Sequence, residues 1–260
     1  MVTTEVAGTG PEPLTPEAAA EIARLAGRAR TARGVLMKVI ALAGSKAENA
    51  LDALPGGVRA AIGAATERAL ALAYRGAEVS GKAGPVPEMG RHGHAIAATV
   101  SGAAGGIGGL GSTLVELPVT VGIIFAAIQR AARAEGFDPA EEVVRRHCLM
   151  VFAAGDPADP SDDGANTSFL ASRAMISGAT VHRLISAVAP RLAAVLTEKL
   201  AAQAVPLLGS VAGAGINYAF TRYYQELAEI RFALLRLAQQ HGEEAVTAAF
   251  RAETALRAGR

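Results

Sequence analysis

Glu116 is the one formal charge between His94 and Gln129, in a run that reads ATVSGAAGGIGGLGSTLVELPVTVGIIFAAI from Ala98 to Ile128. A carboxylate among such neighbours is costly to ionise unless a cation or hydrogen-bond donors meet it, so its pKa would rise toward that of a general base. Glu116 is therefore the chain's one catalytic candidate. A structural reading competes with it. Thr113 and Glu116 have capping-box spacing, and Pro118 just beyond marks a helix start whose dipole favours a negative charge. Arg173 and Arg231 are the cations expected to be placed to neutralise Glu116 in a core. Asn217, in GAGINYAF, is expected to be a buried amide that caps or bridges helices.

The remaining chemical candidates are weaker. GGIGGLG contains Gly105, Gly106, Gly108 and Gly109 but no GKS or GKT, and it follows a helical rather than a strand pattern. Close helix packing or a turn is expected there instead of a phosphate loop. His147 and Cys148 have nucleophile–base chemistry, yet neighbours at i and i+1 diverge on a helix, and Cys148 sits in the apolar run CLMVF. His92 and His94 stand at i and i+2 with no third ligand near, so no metal is expected. Asp159, Ser161, Asp163 and Gly164 copy part of a calcium loop, but Leu170 replaces the bidentate Glu and Pro160 interrupts. HExxH and GxSxG are both absent, and no cofactor is expected.

Composition narrows the classes further. The chain has 260 residues, 51% of them hydrophobic, enough for a sizeable core. Lys and Arg number 25 against 24 Asp and Glu, so no net field draws it to nucleic acid, and none is expected as a partner. Aromatic residues make up 4% and Trp is absent, which removes stacking platforms and the aromatic belt of integral membrane proteins. One cysteine rules out an internal disulfide framework. The start, MVTTEVAGTGPEPLTPEAA, lacks a basic segment followed by an apolar one, so the cytoplasm is the expected compartment.

The elements that must position these residues read as all-α, about nine or ten helices in one compact domain with Gly/Ala-rich central helices. No run alternates as a strand would. Residues 1–14 are expected to be a disordered lead-in and 15–260 the domain. Thr15-Pro16 opens a first helix in which Glu17, Glu21, Arg24 and Arg28 form a solvated stripe opposite Ile22, Leu25, Ala26 and Ala29. A second helix is expected over about 33–53, and a third over about 58–79 with Ile62, Ala65, Ala69 and Leu72 buried; a loop follows to Pro87. Pro118 should break the Gly-rich segment into two helices, the second over about 118–135. Asp138-Pro139-Ala140-Glu141 resembles a capping box opening a helix to about Gly155, with Glu141, Glu142, Arg145 and Arg146 toward solvent. DPADPSDDG is a loop and SFLASRAMIS a further helix. Val181, Leu184, Ile185, Val188, Leu192 and Val195 line a helix to about 204. Pro206 restarts the chain into a long helix closed by His241-Gly242, and a last helix runs from Glu243 to about Arg257.

Several blocks also carry a family resemblance. GGIGGLGSTLVELPVTVGIIFAAIQRAARAEGFDP, then HCLMVFAAG, SFLASR and PLLGSVAGAGINYAFTRYYQELAEIRF, in that order between about Val58 and Gly242, resemble the EcsC protein family. The resemblance implies an all-helical fold. The family takes its name from a protein encoded beside an ABC transporter, a neighbour that many members lack; the expected partner is the membrane surface or a membrane protein, an ABC transporter among the candidates. Phe169 stands where relatives often carry Tyr, so phenol chemistry is not expected there.

Two uncharged lengths, Ala95 to Val115 and Leu200 to Thr221, each approach the roughly twenty residues that cross a bilayer. Both are built of Ala and Gly rather than Leu and Ile, and the second holds Pro206 and Asn217. The expectation is a non-enzymatic helical protein, peripheral to the inner face of the membrane, which docks on the membrane surface or a membrane protein through these segments. Two rivals are a hydrolase acting on lipid or peptide through Glu116, and a soluble carrier of a lipid or small molecule.

Overall fold

The computed structural model describes residues 13–41, 56–82, 109–153, 181–203 and 209–258. They form seven helices: α1 Pro16–Ala41, α2 Gly56–Lys82, α3 Gly109–Ala134, α4 Glu142–Val151, α5 Val181–Gln203, α6 Gly209–His241 and α7 Glu243–Ala258. No strand occurs among the described residues. The protein is all-α, but two of the predicted breaks are absent and the predicted helix over SFLASRAMIS lies outside the described residues, as do residues 1–12 and the loop at DPADPSDDG.

Both corrected breaks have a physical reason. α1 runs without interruption past Arg33-Gly34 to Ala41, because one glycine in a helix interior costs only about 1 kcal/mol. α3 likewise runs through Pro118. The proline denies an amide to the carbonyl of Leu114 and costs about 3 kcal/mol. Against that stands a dense apolar contact: Leu117, Val121, Ile124, Phe125 and Ile128 are all buried, each worth about 1.5–3 kcal/mol when removed from water.

α6, the longest helix, lies at the centre and packs on α1, α3, α7, α4 and α5, while α2 packs on α3 and α5. One hydrophobic cluster draws on all seven helices. Its aromatic part links three of them. Phe125 of α3 stacks on Phe152 at 6.2 Å, and Phe152, the C-cap of α4, meets Tyr224 of α6 at 5.2 Å.

Helix ends follow local chemistry. The Thr15 hydroxyl accepts from the Ala18 amide at 3.2 Å, the N-cap expected from Thr-Pro. Gly242, with φ +87, closes α6 as expected. Gly136, φ +86, closes α3, and the Phe137 amide returns to the Ala132 carbonyl at 3.0 Å. Asp138 does not cap α4. Its Oδ1 accepts from the Ala140 amide at 2.8 Å in a tight turn, and the helix starts only at Glu142, with Glu141 at the N-cap making no side-chain bond to the backbone. The buried line of α2 is also shifted, to Ile62, Thr66, Ala69, Leu70 and Tyr74, while Leu72 is 60% exposed. Buried Thr66 is satisfied by its own helix, donating to the Ile62 carbonyl at 2.7 Å.

Candidate functional site

The helical repeat puts Arg24, Arg28 and Thr31 of α1 on one side of the helix, and the α6 residues Ala219, Arg222, Tyr223 and Glu226 recur at i, i+3, i+4 and i+7. These two faces meet, and between them lies an open cleft of about 600 Å³. Arg30 completes its rim.

A hydrogen-bonded network holds the cleft in shape. Arg28 donates from Nε to Glu226 Oε1 and from Nη2 to Glu229 Oε2, both at 2.6 Å. Burial works against the charge on Arg28, but the bonds and charges of the two glutamates outweigh it and hold its pKa above the ordinary value. Arg222 donates from Nη1 to Gln225 Oε1 at 3.0 Å and lies 3.9 Å from Glu226. Gln225, fully buried, passes the network on to Glu229, which also has Arg130 of α3 at 3.9 Å. A second clip lies farther along α6. Arg236 donates from Nη2 to Glu21 and from Nε to Glu135, each at 2.8 Å. Glu21 and Arg28 thus belong to the α1–α6 interface, a correction to their expected place on a solvated stripe. Ile22, Leu25, Ala26 and Ala29 are buried as read from the sequence.

Arg231 is fully buried on α6. Its Nη2 lies 3.0 Å from Nδ1 of His147; because guanidinium can only donate, Nδ1 must accept and the imidazole proton sits on Nε2. Desolvation presses the Arg231 pKa down to about 9, which leaves it charged at neutral pH. Cys148 beside it is fully buried, and burial pushes the thiol up to about 12 despite the pull of Arg231, Arg133 and Arg145. A thiol that keeps its proton is not a nucleophile. Arg145, expected in solvent, is buried with its guanidinium 5.3 Å from the centre of the Tyr74 ring, and it donates to the Ala140 carbonyl.

The other sequence-derived residues divide clearly. Glu116 and Thr113 stand at the eighth and fifth positions of α3, so neither is at a helix start and the capping-box reading fails. Pro118 is inside the same helix and half-buried. Gly109 opens α3, whereas Gly105, Gly106, Gly108, Arg173, His92, His94, Phe169, Pro206 and the Asp159–Gly164 loop lie outside the described residues. Asn217 is fully buried, nine residues into α6 and therefore not a cap. It heads a line of buried polar side chains at i, i+4 and i+8 with Thr221 and Gln225. The cleft arginines were missed. The signal for them is present in TRYYQELAEIRFALLR, where charges interrupt a helix that is otherwise apolar on every side and so need partners.

The leading apolar helix shows a second feature. The window Leu117–Ala134 has mean hydropathy 1.2, and 56% of it is buried. Up to Ala126 its partly buried or exposed residues are Pro118, Val119, Gly122, Ile123 and Ala126, all uncharged, with Arg130 and Arg133 following. Val119 is 53% exposed and Tyr218, in the second Gly/Ala-rich segment, 39%.

The model of the EcsC protein family matches residues 88–237, more than half of the chain. Searches of the curated proteins and of the solved structures return no match.

Proposed function

We propose that this chain, which belongs to the EcsC protein family, is a non-enzymatic helical protein that associates peripherally with the inner face of a membrane. It docks on the membrane surface, or on a membrane protein such as an ABC transporter, through its two Gly/Ala-rich segments. The observation that carries this reading is the outer stripe of α3 from Pro118 to Ala126, directly after the first of these segments, which is uncharged and only partly buried among the described residues, with Val119 exposed. Such a stripe has too little flanking charge or aromatic anchoring for stable spanning, and fits shallow contact.

Cell fractionation tests the reading. The protein is expected to sediment partly with membranes and to be released by carbonate or mild detergent. Retention after carbonate would indicate spanning, and full recovery in the soluble fraction would favour a carrier or an enzyme.

The carrier reading has one observation in its favour, the cleft of about 600 Å³ between α1 and α6, a size within the range of small-molecule sites.

A further inference from the structure

We propose that the seam between α3 and α6 is an internal water-binding site, closed by the hydroxyls of Thr120 and Thr221. Thr66 and Thr197, the other buried threonines among the described residues, each donate to the carbonyl one turn back, Ile62 and Ala193, at 2.7 Å. That is how a helical threonine satisfies itself without a neighbour. Thr120 and Thr221 do not do so. They are 1% and 0% exposed, and among the described residues neither hydroxyl makes a hydrogen bond. A hydroxyl stranded in a core is costly, and two at one place call for a shared partner.

Helix geometry brings the two to one place. α3 and α6 pack on each other and run parallel. Arg130 lies 3.9 Å from Glu229, and earlier on both helices Phe152 bridges Phe125 to Tyr224. Counted back from the Arg130–Glu229 contact at about 1.5 Å per residue, Thr120 lies about 15 Å before Arg130 and Thr221 about 12 Å before Glu229. Their levels therefore differ by only about 3 Å. Around α6, Thr221 falls between Tyr224 and Glu229, whose contacts tie that helix to α3; Thr120 falls on the buried side of α3, between Phe125 and Arg130. A buried water makes about two to four hydrogen bonds, and a threonine hydroxyl can both donate and accept. Asn217 and Gln225, fully buried one turn to either side of Thr221, keep the seam polar. The water keys the level of α3 against α6 through hydrogen bonds, which are directional where apolar contact is not.

The test uses the full chain. Long-lived internal waters are counted by oxygen-17 magnetic relaxation dispersion in wild type, Thr120→Val, Thr221→Val and the double variant, with Thr120→Ser and Thr221→Ser keeping the hydroxyl. Wild type and both Ser variants are expected to hold at least one long-lived water more than any Val variant. Each Val variant is expected to melt about 2–4 °C below wild type, although its side chain has nearly the same volume. The double variant should lose less than the sum, because one substitution already releases the water. Val variants that melt at or above wild type, the result for hydroxyls that are merely stranded, overturn the proposal. So does a water count that the Val substitutions leave unchanged, even with a coupled loss of stability, since the two hydroxyls then meet each other directly.

Discussion

Residue chemistry in the core is decided by desolvation. Cys148 keeps its proton because desolvation by full burial outweighs the pull of Arg231, Arg133 and Arg145, and the native thiol is expected to resist alkylation at pH 8 while reacting readily in urea. Prompt native labelling would show that α4 opens. The linked stability has a definite sign. The folded thiol titrates near 12 and an ordinary one near 9, so its contribution is complete below about pH 9 and is lost as pH rises toward 12. Cys148→Ala should therefore show a shallower alkaline loss of stability than wild type, by denaturant titration across that window. His147→Leu removes an acceptor from the buried Arg231 and is expected to cost about 1–3 kcal/mol; an unchanged melting temperature would remove His147 from the account. The sequence pointed to packing for Cys148 and to burial for Asn217. It could not assign Arg231 to His147, since 84 residues separate them and only the crossing of α4 and α6 brings them together.

At the level of elements, local rules and tertiary packing compete, and the two outcomes differ by site. Thr15, Gly242 and the apolar face of α1 obey local chemistry, and they were legible. Pro118 does not, because the contacts on either side of it outweigh a lost amide. Pro118→Ala is accordingly expected to raise stability, by up to about 3 kcal/mol, with helix content unchanged by circular dichroism. A loss of stability would mean that the proline shapes α3 in a way the packing needs. The α1–α6 network makes the opposite prediction for Arg28. Arg28→Met removes the nearest guanidinium from two partly buried glutamates and should cost about 1–2 kcal/mol, less at high salt. The stripe of Glu21, Arg24 and Arg28 gave no sign of this, since a charged line on a helix is the same whether water or a second charged helix faces it.

Over the whole molecule, helical class and family membership were legible from composition and from long ordered motifs. The cleft was not, because it is a product of how α1 crosses α6. The proposed docking on a membrane uses apolar surface at and beside the Gly/Ala-rich segments, where Val119, just past the first, and Tyr218, within the second, are the exposed large residues among those described; Leu72, Val143 and Leu256 are exposed elsewhere. Flotation of purified protein with neutral phosphatidylcholine vesicles tests this most directly, comparing wild type with Val119→Glu/Tyr218→Glu and with Leu72→Glu. Wild type and Leu72→Glu are expected to float, while the double variant, folded by circular dichroism, stays at the bottom of the gradient. A double variant that floats as well as wild type, or a wild type that does not float and is not recruited to native membranes, would contradict it.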